Sequence, residues 1–287
     1  MVVVTHAGDA TVYNRRTTAA VRAVLVEIGQ ILASYRGKFA IVGGSVPWLL
    51  IPDRDMPHVG TMDVDIALDA EALGDGEYVR LVEALMKCGY RQGAELRRFQ
   101  LIRAVPDAES NQPVEIVIDF LMPRDASFVR NVPPLMLDFA VQRASGAELA
   151  LLFPQLIELD GRMPDGYRNR VQIAVASIPA LLAMKGFALQ FREKQKDAYD
   201  IYYCIRNYPG GIEAIAGACG LLLSHPAARE AYSYIANKFD SFDGYGPSRV
   251  RLFAESQGIL SGRTADQWQR DAFGQVDSWL RAIGLRS

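Results

Sequence analysis

Cysteine and histidine are scarce in this chain. Three cysteines (Cys88, Cys204, Cys219) and three histidines (His6, His58, His225) are scattered through 287 residues. The odd cysteine count and the lack of any Cys-x-x-Cys pair argue against a disulfide framework or a zinc cluster, and for free thiols in a reducing compartment. An excess of one charge sign is also lacking. The net charge is −2, so bulk charge does not make the chain a polyanion binder, and any nucleic-acid site has to be a local basic patch. No uninterrupted apolar run approaches about 18 residues, so no transmembrane helix is expected. The opening MVVVTHAGDA has neither the basic segment nor the long apolar segment of a signal peptide. The expectation is a soluble, cytoplasmic protein with no membrane partner. Hydrophobic residues make up half of the chain and charged residues 22%, an ordinary globular composition with enough length for a sizeable core.

Apolar spacing over residues 17–36 predicts a helix that stops at Gly37. KFAIVGG reads as a short buried strand running into two glycines, and SVPWLL as a helix that Ser45 is placed to cap. IPDRDMPHVG reads as a loop, MDVDIALD as a second strand, and EYVRLVEALMKCGY as an amphipathic helix. ELRRFQLIRAV and VEIVIDFL complete the strands, with a polar turn between them. From about residue 146 the texture turns helical, in AELALLFPQLIEL and then IPALLAMKGFALQFREKQKDAYDIYYCIRNY, with RNRVQIAVAS as a further candidate strand. The expected fold is therefore α/β (α+β): residues 1–150 with a mixed sheet, then a mainly helical domain over 151–287, the boundary falling somewhere near 145–170.

VGTMDVDIAL places two acids in an otherwise buried strand. In a strand every second side chain points the same way, so Asp63 and Asp65 share a face, where two carboxylates repel and each is costly to desolvate without a partner. VEIVIDFL adds Asp119, an acid deep in an apolar strand. IVGGS is a strand, a Gly-Gly turn and a helix start, a place where Gly43, Gly44 and the Ser45 hydroxyl suit a phosphate. Each feature alone has a plain structural account: a turn, the polar face of an edge strand, a satisfied core carboxylate. Together, three carboxylates facing a phosphate-binding turn call for a hard, oxygen-loving cation such as Mg²⁺, of which a pair could activate an attacking oxygen and neutralise a leaving one.

Gly43-Gly44-Ser45, then Asp63-x-Asp65, then Asp119 resembles the motif set of the DNA polymerase β-like nucleotidyltransferase superfamily. The resemblance implies a mixed sheet, Mg²⁺ held by Asp63, Asp65 and Asp119, and transfer of a nucleoside monophosphate from an NTP with loss of pyrophosphate. Seventeen residues separate Ser45 from Asp63, more than is usual there, so IPDRDMPH reads as an insertion. LLAMKGFALQFREKQKDAYDIYY resembles the Lys-containing helix and the (R/K)DxxD segment of AbiEii-type nucleotidyltransferases, toxins of bacterial toxin–antitoxin and phage-defence systems. Thr61, two positions before the first acid, fits the same group. The resemblance covers roughly residues 38–205. It implies an RNA acceptor, with the tRNA 3′ end the leading case, and a cognate antitoxin as partner.

At about 100° per residue, Lys185, Arg192 and Lys196 fall within about 40° of one another, Asp200 about 60° from Lys185 and Asp197 about 120°. On one continuous helix, Lys185, Arg192, Lys196 and Asp200 form a polar stripe. In a nucleotidyltransferase, Lys185 would hold the triphosphate with Arg192 assisting, and Asp197 or Asp200 would orient that lysine or the acceptor hydroxyl. A turn between 193 and 197 would break the stripe and make Asp197 an equal candidate. A snorkelling lysine on a solvated charged face is the ordinary account of such a pattern. His58, just before the acidic strand, reads as a nucleotide contact or, as loop histidines usually are, a bystander. Arg97 and Arg103, and the group Arg162, Arg168 and Arg170, are either solvated or RNA-phosphate contacts. FDSFDGYGPSR is a mobile loop or an inter-helix turn, and Trp268, Ala272, Val276, Trp279 and Leu280 are packing residues. The competing functions are a nucleotidyltransferase acting on an aminoglycoside-like small molecule, one acting on a protein hydroxyl, and a non-catalytic nucleotide-binding module.

Overall fold

Phe39–Val42 (β1) is apolar on both faces and buried throughout, the pattern of a strand enclosed in a sheet. In the computed structural model, which describes residues 15–51, 58–69, 72–73, 76–92, 100–107, 112–126 and 142–287, β1 lies inside a seven-stranded mixed sheet. The other strands are β2 (Asp63–Leu68), β3 (Gln100–Val105), β4 (Val114–Pro123), β5 (Gln142–Ala144), β6 (Pro154–Arg162) and β7 (Arg168–Ala176). Their order is β3-β4-β2-β1-β7-β6, and β5 pairs with the end of β4. β2 runs parallel to β4 and antiparallel to β1, and β7 runs parallel to β1.

Helix α1 (Arg15–Ile31) continues into a 3₁₀ turn at Leu32–Tyr35 and lies on the sheet. By length and composition Arg16–Tyr35 could cross a membrane. Here it covers a sheet instead: Val21, Val24, Leu25 and Ile28 are buried, Arg22 donates to the Asp160 carbonyl, and Glu27 pairs with Arg103. Helices α2 (Ser45–Leu50), α3 (Glu77–Lys87) and α4 (Ala147–Leu152) join the strands.

Two compact units result. The sheet unit takes Tyr13–Val46 and Val59–Ser177, and the helical unit takes Pro47–His58 and Ile178–Ser287. The observed division thus falls at Ser177, where the sequence suggests residue 150, because β6 and β7 belong to the sheet. Pro154 cannot continue α4, and PQLIELDGR pairs with β7 along its whole length, so the helix expected over AELALLFPQLIEL ends at Leu152.

In the helical unit, α5 (Ile178–Phe191) and α6 (Gln195–Asn207) precede α7 (Gly211–Gly220), α8 (Pro226–Lys238), α9 (Tyr245–Ser256) and α10 (Ala265–Ala282). The core is aromatic: Tyr232 meets Trp279 edge-on at 5.3 Å, Tyr202 meets Trp268 at 5.8 Å, and Tyr199 meets Phe253 at 4.6 Å. Trp268, Ala272, Val276, Trp279 and Leu280 are all buried, as their spacing implies. Residues 239–244 form the turn between α8 and α9.

Candidate active site

β2 and β4 pair in register at Asp65 and Asp119. Parallel neighbours in register point to one face and lie about 4.8 Å apart. Gln100 of β3 pairs with Asp119, and Val42 of β1 pairs with Asp65. Gln100, Asp119, Asp65 and Val42 thus form one row across four strands, with Asp63 two residues along β2 on the same face. Two carboxylates this close repel by about 3 kcal/mol at an effective dielectric near 20. Donors offset part of that cost. Gln100 Nε2 donates to Asp119 Oδ1 at 2.7 Å, and the buried Thr61 hydroxyl donates to Asp63 Oδ1.

The Gly-Gly turn closes on the same place. Gly43 has φ +71, a left-handed conformation, and a Cβ built there would lie 1.8 Å from Asp65 Oδ2. Only glycine fits. Ser45 follows at the start of α2. Its hydroxyl is fully buried and has no hydrogen-bond partner among the described residues, the condition of a group that a ligand completes.

The donor set fits Mg²⁺. It offers oxygens only, and Mg²⁺ is usually held by one or two carboxylates plus waters and substrate phosphates. Among the described residues, no group of three His, Cys, Asp or Glu side chains stands close enough to hold an ion by itself. The acids expected to converge are therefore a register pair, Asp65 and Asp119, with Asp63 alongside on its Thr61 hydrogen bond.

The helical unit holds a second charged group. Lys185 on α5 bonds Asp197 Oδ1 and Asp200 Oδ2 on α6, each at 2.7 Å. Arg192 grips Asp197 with two hydrogen bonds, 2.6 and 2.8 Å. Lys196 bonds Asp200 at 2.9 Å, and His58 Nε2 meets Asp200 Oδ1 at 3.0 Å. All these side chains are buried except Arg192, which is 54% exposed.

Burial governs every charge in this cluster, and the partners decide which way it ends. Burial would raise Asp197 and Asp200, but Lys185 with Arg192 holds Asp197 at about 2, and Lys185 with Lys196 holds Asp200 well below its ordinary range. Burial would lower Lys185, yet Asp197 and Asp200 keep its ammonium above the usual value. Burial also lowers Lys196, and Asp200 only partly opposes it. His58 is pushed down to about 4 by burial and then by the Lys196 charge, so it is neutral at pH 7. Among the described residues, Lys185, Arg192 and Lys196 surround the two carboxylates.

No protein-family model matches the chain, and no curated protein matches it. Solved structures do. One is an antigenic nucleotidyltransferase-like protein from Paracoccidioides brasiliensis, 15% identical, with a TM-score of 0.44, covering 86% of this chain and 92% of that one. Another is MenT4, a nucleotidyltransferase toxin from Mycobacterium tuberculosis H37Rv, 14% identical, with a TM-score of 0.36, covering 97% and 99%.

Several expectations change against this geometry. The single polar stripe does not exist, because the chain leaves the helix between Phe191 and Gln195, with Lys194 extended. Asp197 and Asp200 are both partners of Lys185. Arg103 is not a solvated arginine: Glu27 holds its guanidinium with two bonds of 2.9 Å; Arg97 lies outside the described residues. Arg162, Arg168 and Arg170 sit on the β6–β7 hairpin and not in a loop, and Arg168 and Arg170 pair with Asp160 and Glu158. His58 is no bystander. The sequence also gave no sign of Gln100, whose role depends on which residue of β4 lies opposite it.

Proposed function

We propose that this chain is an Mg²⁺-dependent nucleotidyltransferase. The observation that carries the reading is the in-register pair Asp65–Asp119 with Gly43 closed on Asp65. In the proposed reaction the acceptor hydroxyl oxygen bonds to the α-phosphorus of an NTP. The α–β phosphoanhydride bond breaks, and pyrophosphate leaves. Asp65 and Asp119, with Asp63 alongside, would hold Mg²⁺ together with waters and phosphate oxygens, and the ion would supply charge to offset what builds on the leaving pyrophosphate. Asp119, oriented by Gln100, takes the proton of the attacking hydroxyl. Gly43, Gly44 and the orphaned Ser45 hydroxyl receive phosphate oxygens. Thr61 sets the rotamer of Asp63. Lys185, with Arg192 beside it and Asp197 and Asp200 aiming it, would be the triphosphate-binding lysine that the resemblance of residues 181–203 implies.

The acceptor we propose is RNA, with the tRNA 3′ end first, and the biological role that of a toxin with a cognate antitoxin. These finer assignments rest on the AbiEii-type resemblance of residues 181–203. The test is a reaction with each of four α-³²P-labelled NTPs, Mg²⁺, and total cellular RNA and protein together, with Asp63→Ala/Asp65→Ala as control. Label in a tRNA-sized band, lost in the control, is the expected result. Label in protein alone keeps the chemistry and overturns the acceptor. No label under any nucleotide overturns transfer to RNA or protein.

A further inference from the structure

Asp200 is the hub of the buried charged group. Its Oδ2 receives Lys185 at 2.7 Å and its Oδ1 receives Lys196 at 2.9 Å. The other neighbour of Oδ1 belongs to neither α5 nor α6: it is His58, the last residue of the segment Pro47–His58. An ionised Asp200 only accepts, so a neutral His58 must carry its proton on Nε2 and donate it. The ring has little freedom to turn. Tyr203 meets it edge-on at 4.8 Å and Tyr199 lies tilted at 5.8 Å. A fixed ring fixes the direction of its N–H, and that N–H fixes the plane of the Asp200 carboxylate. The carboxylate in turn sets the direction of the Lys185 ammonium, which it shares with Asp197.

We infer that His58 is a positioning residue for the triphosphate-binding lysine, acting through Asp200. The inference rests on the nucleotidyltransferase reading of Lys185. It assigns a role to a residue three positions ahead of the Thr61-to-Asp63 segment. Without the His58 donor, Lys196 and Lys185 alone would orient Asp200, and both can follow it to a new rotamer. The affected quantity is ground-state and transition-state binding of the triphosphate together, so KM moves and kcat moves less.

The test compares His58→Leu and His58→Gln in the full chain. Glutamine places an amide N–H near the position of Nε2; leucine removes the donor at similar volume. Two readouts serve. One is calorimetric binding of an α,β-methylene NTP, which cannot turn over. The other is the ¹⁵N signal of the Lys185 ammonium, which reports its hydrogen bonds without nucleotide. His58→Leu is expected to weaken nucleotide binding about tenfold, the size typical of losing a support one shell behind a ligand-binding group, and to move the Lys185 signal. His58→Gln is expected to restore both. Wild-type binding and an unmoved Lys185 signal in His58→Leu overturn the role, as does an equal defect in His58→Gln. If His58→Leu does not fold, His58→Met replaces it, with the same loss of binding and the same movement of the Lys185 signal expected. A wild-type chain that binds no NTP refutes the nucleotide reading by itself, and the Lys185 signal then decides the positioning role separately.

Discussion

Lowering the pH should destabilise the helical unit through one residue. His58 has an ordinary value of 6.5 and is pushed down to about 4 in the folded chain, by burial first and the Lys196 charge second, against the pull of Asp200. The unfolded histidine takes a proton as pH falls through 6.5, while the folded one refuses it until about 4. The unfolded state therefore binds more protons in this window, and stability falls with pH there. Above pH 6.5 the contribution is fully present; below about 4 nothing further is lost. A displacement of about 2.5 pH units corresponds to about 3 kcal/mol in the limit, of which about 2 kcal/mol is gone between pH 7.5 and pH 5. Asp197, held at about 2 from an ordinary 3.8, acts lower down: its contribution is present above 3.8 and lost as pH falls toward 2. The histidine window stands clear of it. All three tryptophans, Trp48, Trp268 and Trp279, lie in the helical unit, so intrinsic fluorescence reports the unit that holds His58. Urea unfolding at half-unit steps from pH 4 to 7.5, on wild type and His58→Gln, isolates the term, since other groups contribute alike to both. The wild-type curve should fall more steeply by about 2 kcal/mol at pH 5. Parallel curves would refute the buried neutral histidine.

Gly43→Ala should lose nucleotidyl transfer by more than about a hundredfold, because the new Cβ displaces Asp65 Oδ2, while the left-handed backbone costs about 1–2 kcal/mol in a urea midpoint; an active variant would remove Gly43 from the site. Gly186→Ala should destabilise the chain by about 1–3 kcal/mol, because its Cβ would sit 2.3 Å from the Ala231 carbonyl oxygen at the α5–α8 crossing. An unchanged fluorescence melt would refute that crossing. Lys185→Met should cost about 3 kcal/mol, the low end for breaking a buried pair, since Arg192 still holds Asp197 and Lys196 and His58 still hold Asp200. It should also abolish calorimetric NTP binding, and retained affinity would take Lys185 out of the phosphate site.

The alternation of Val64, Ile66 and Leu68 with Asp63 and Asp65 made β2 and its acidic face legible, and Val114–Phe120 did the same for β4. The register was not legible. Nothing in either segment says that Asp65 stands opposite Asp119 and not one residue away, and one residue would put Asp119 on the other face. Gln100 was hidden for the same reason. β6 was misread because AELALL before it is good helix sequence, and because its exposed Pro154, Gln155 and Leu156 lack the half-buried alternation by which strands are recognised. His58 was legible only as a residue placed just before the acidic strand, and its bond to Asp200 was not. A lone histidine after a loop has no periodicity, and its partner Asp200 lies 142 residues away.

The helix break shows why angular arithmetic was not enough at Lys185. The expected stripe put Lys185 and Asp200 on one face of a continuous helix, which is a statement about rotation only. At 1.5 Å of rise per residue, twelve residues from Lys185 to Asp197 span about 18 Å, and fifteen to Asp200 about 22 Å. No lysine reaches a carboxylate at that distance. Both pairs are observed at 2.7 Å, so the chain has to fold back between them. Arg192, Glu193, Lys194 and Gln195 contain no glycine or proline, and all four residue types favour helix. Local preference therefore opposes the break. Intrinsic propensities are worth only tenths of a kcal/mol per residue, whereas a buried carboxylate stripped of its partners costs several. The pairing of Lys185 and Arg192 with Asp197, and of Lys185, Lys196 and His58 with Asp200, is thus what turns the chain at Lys194, and the site and the break are one feature.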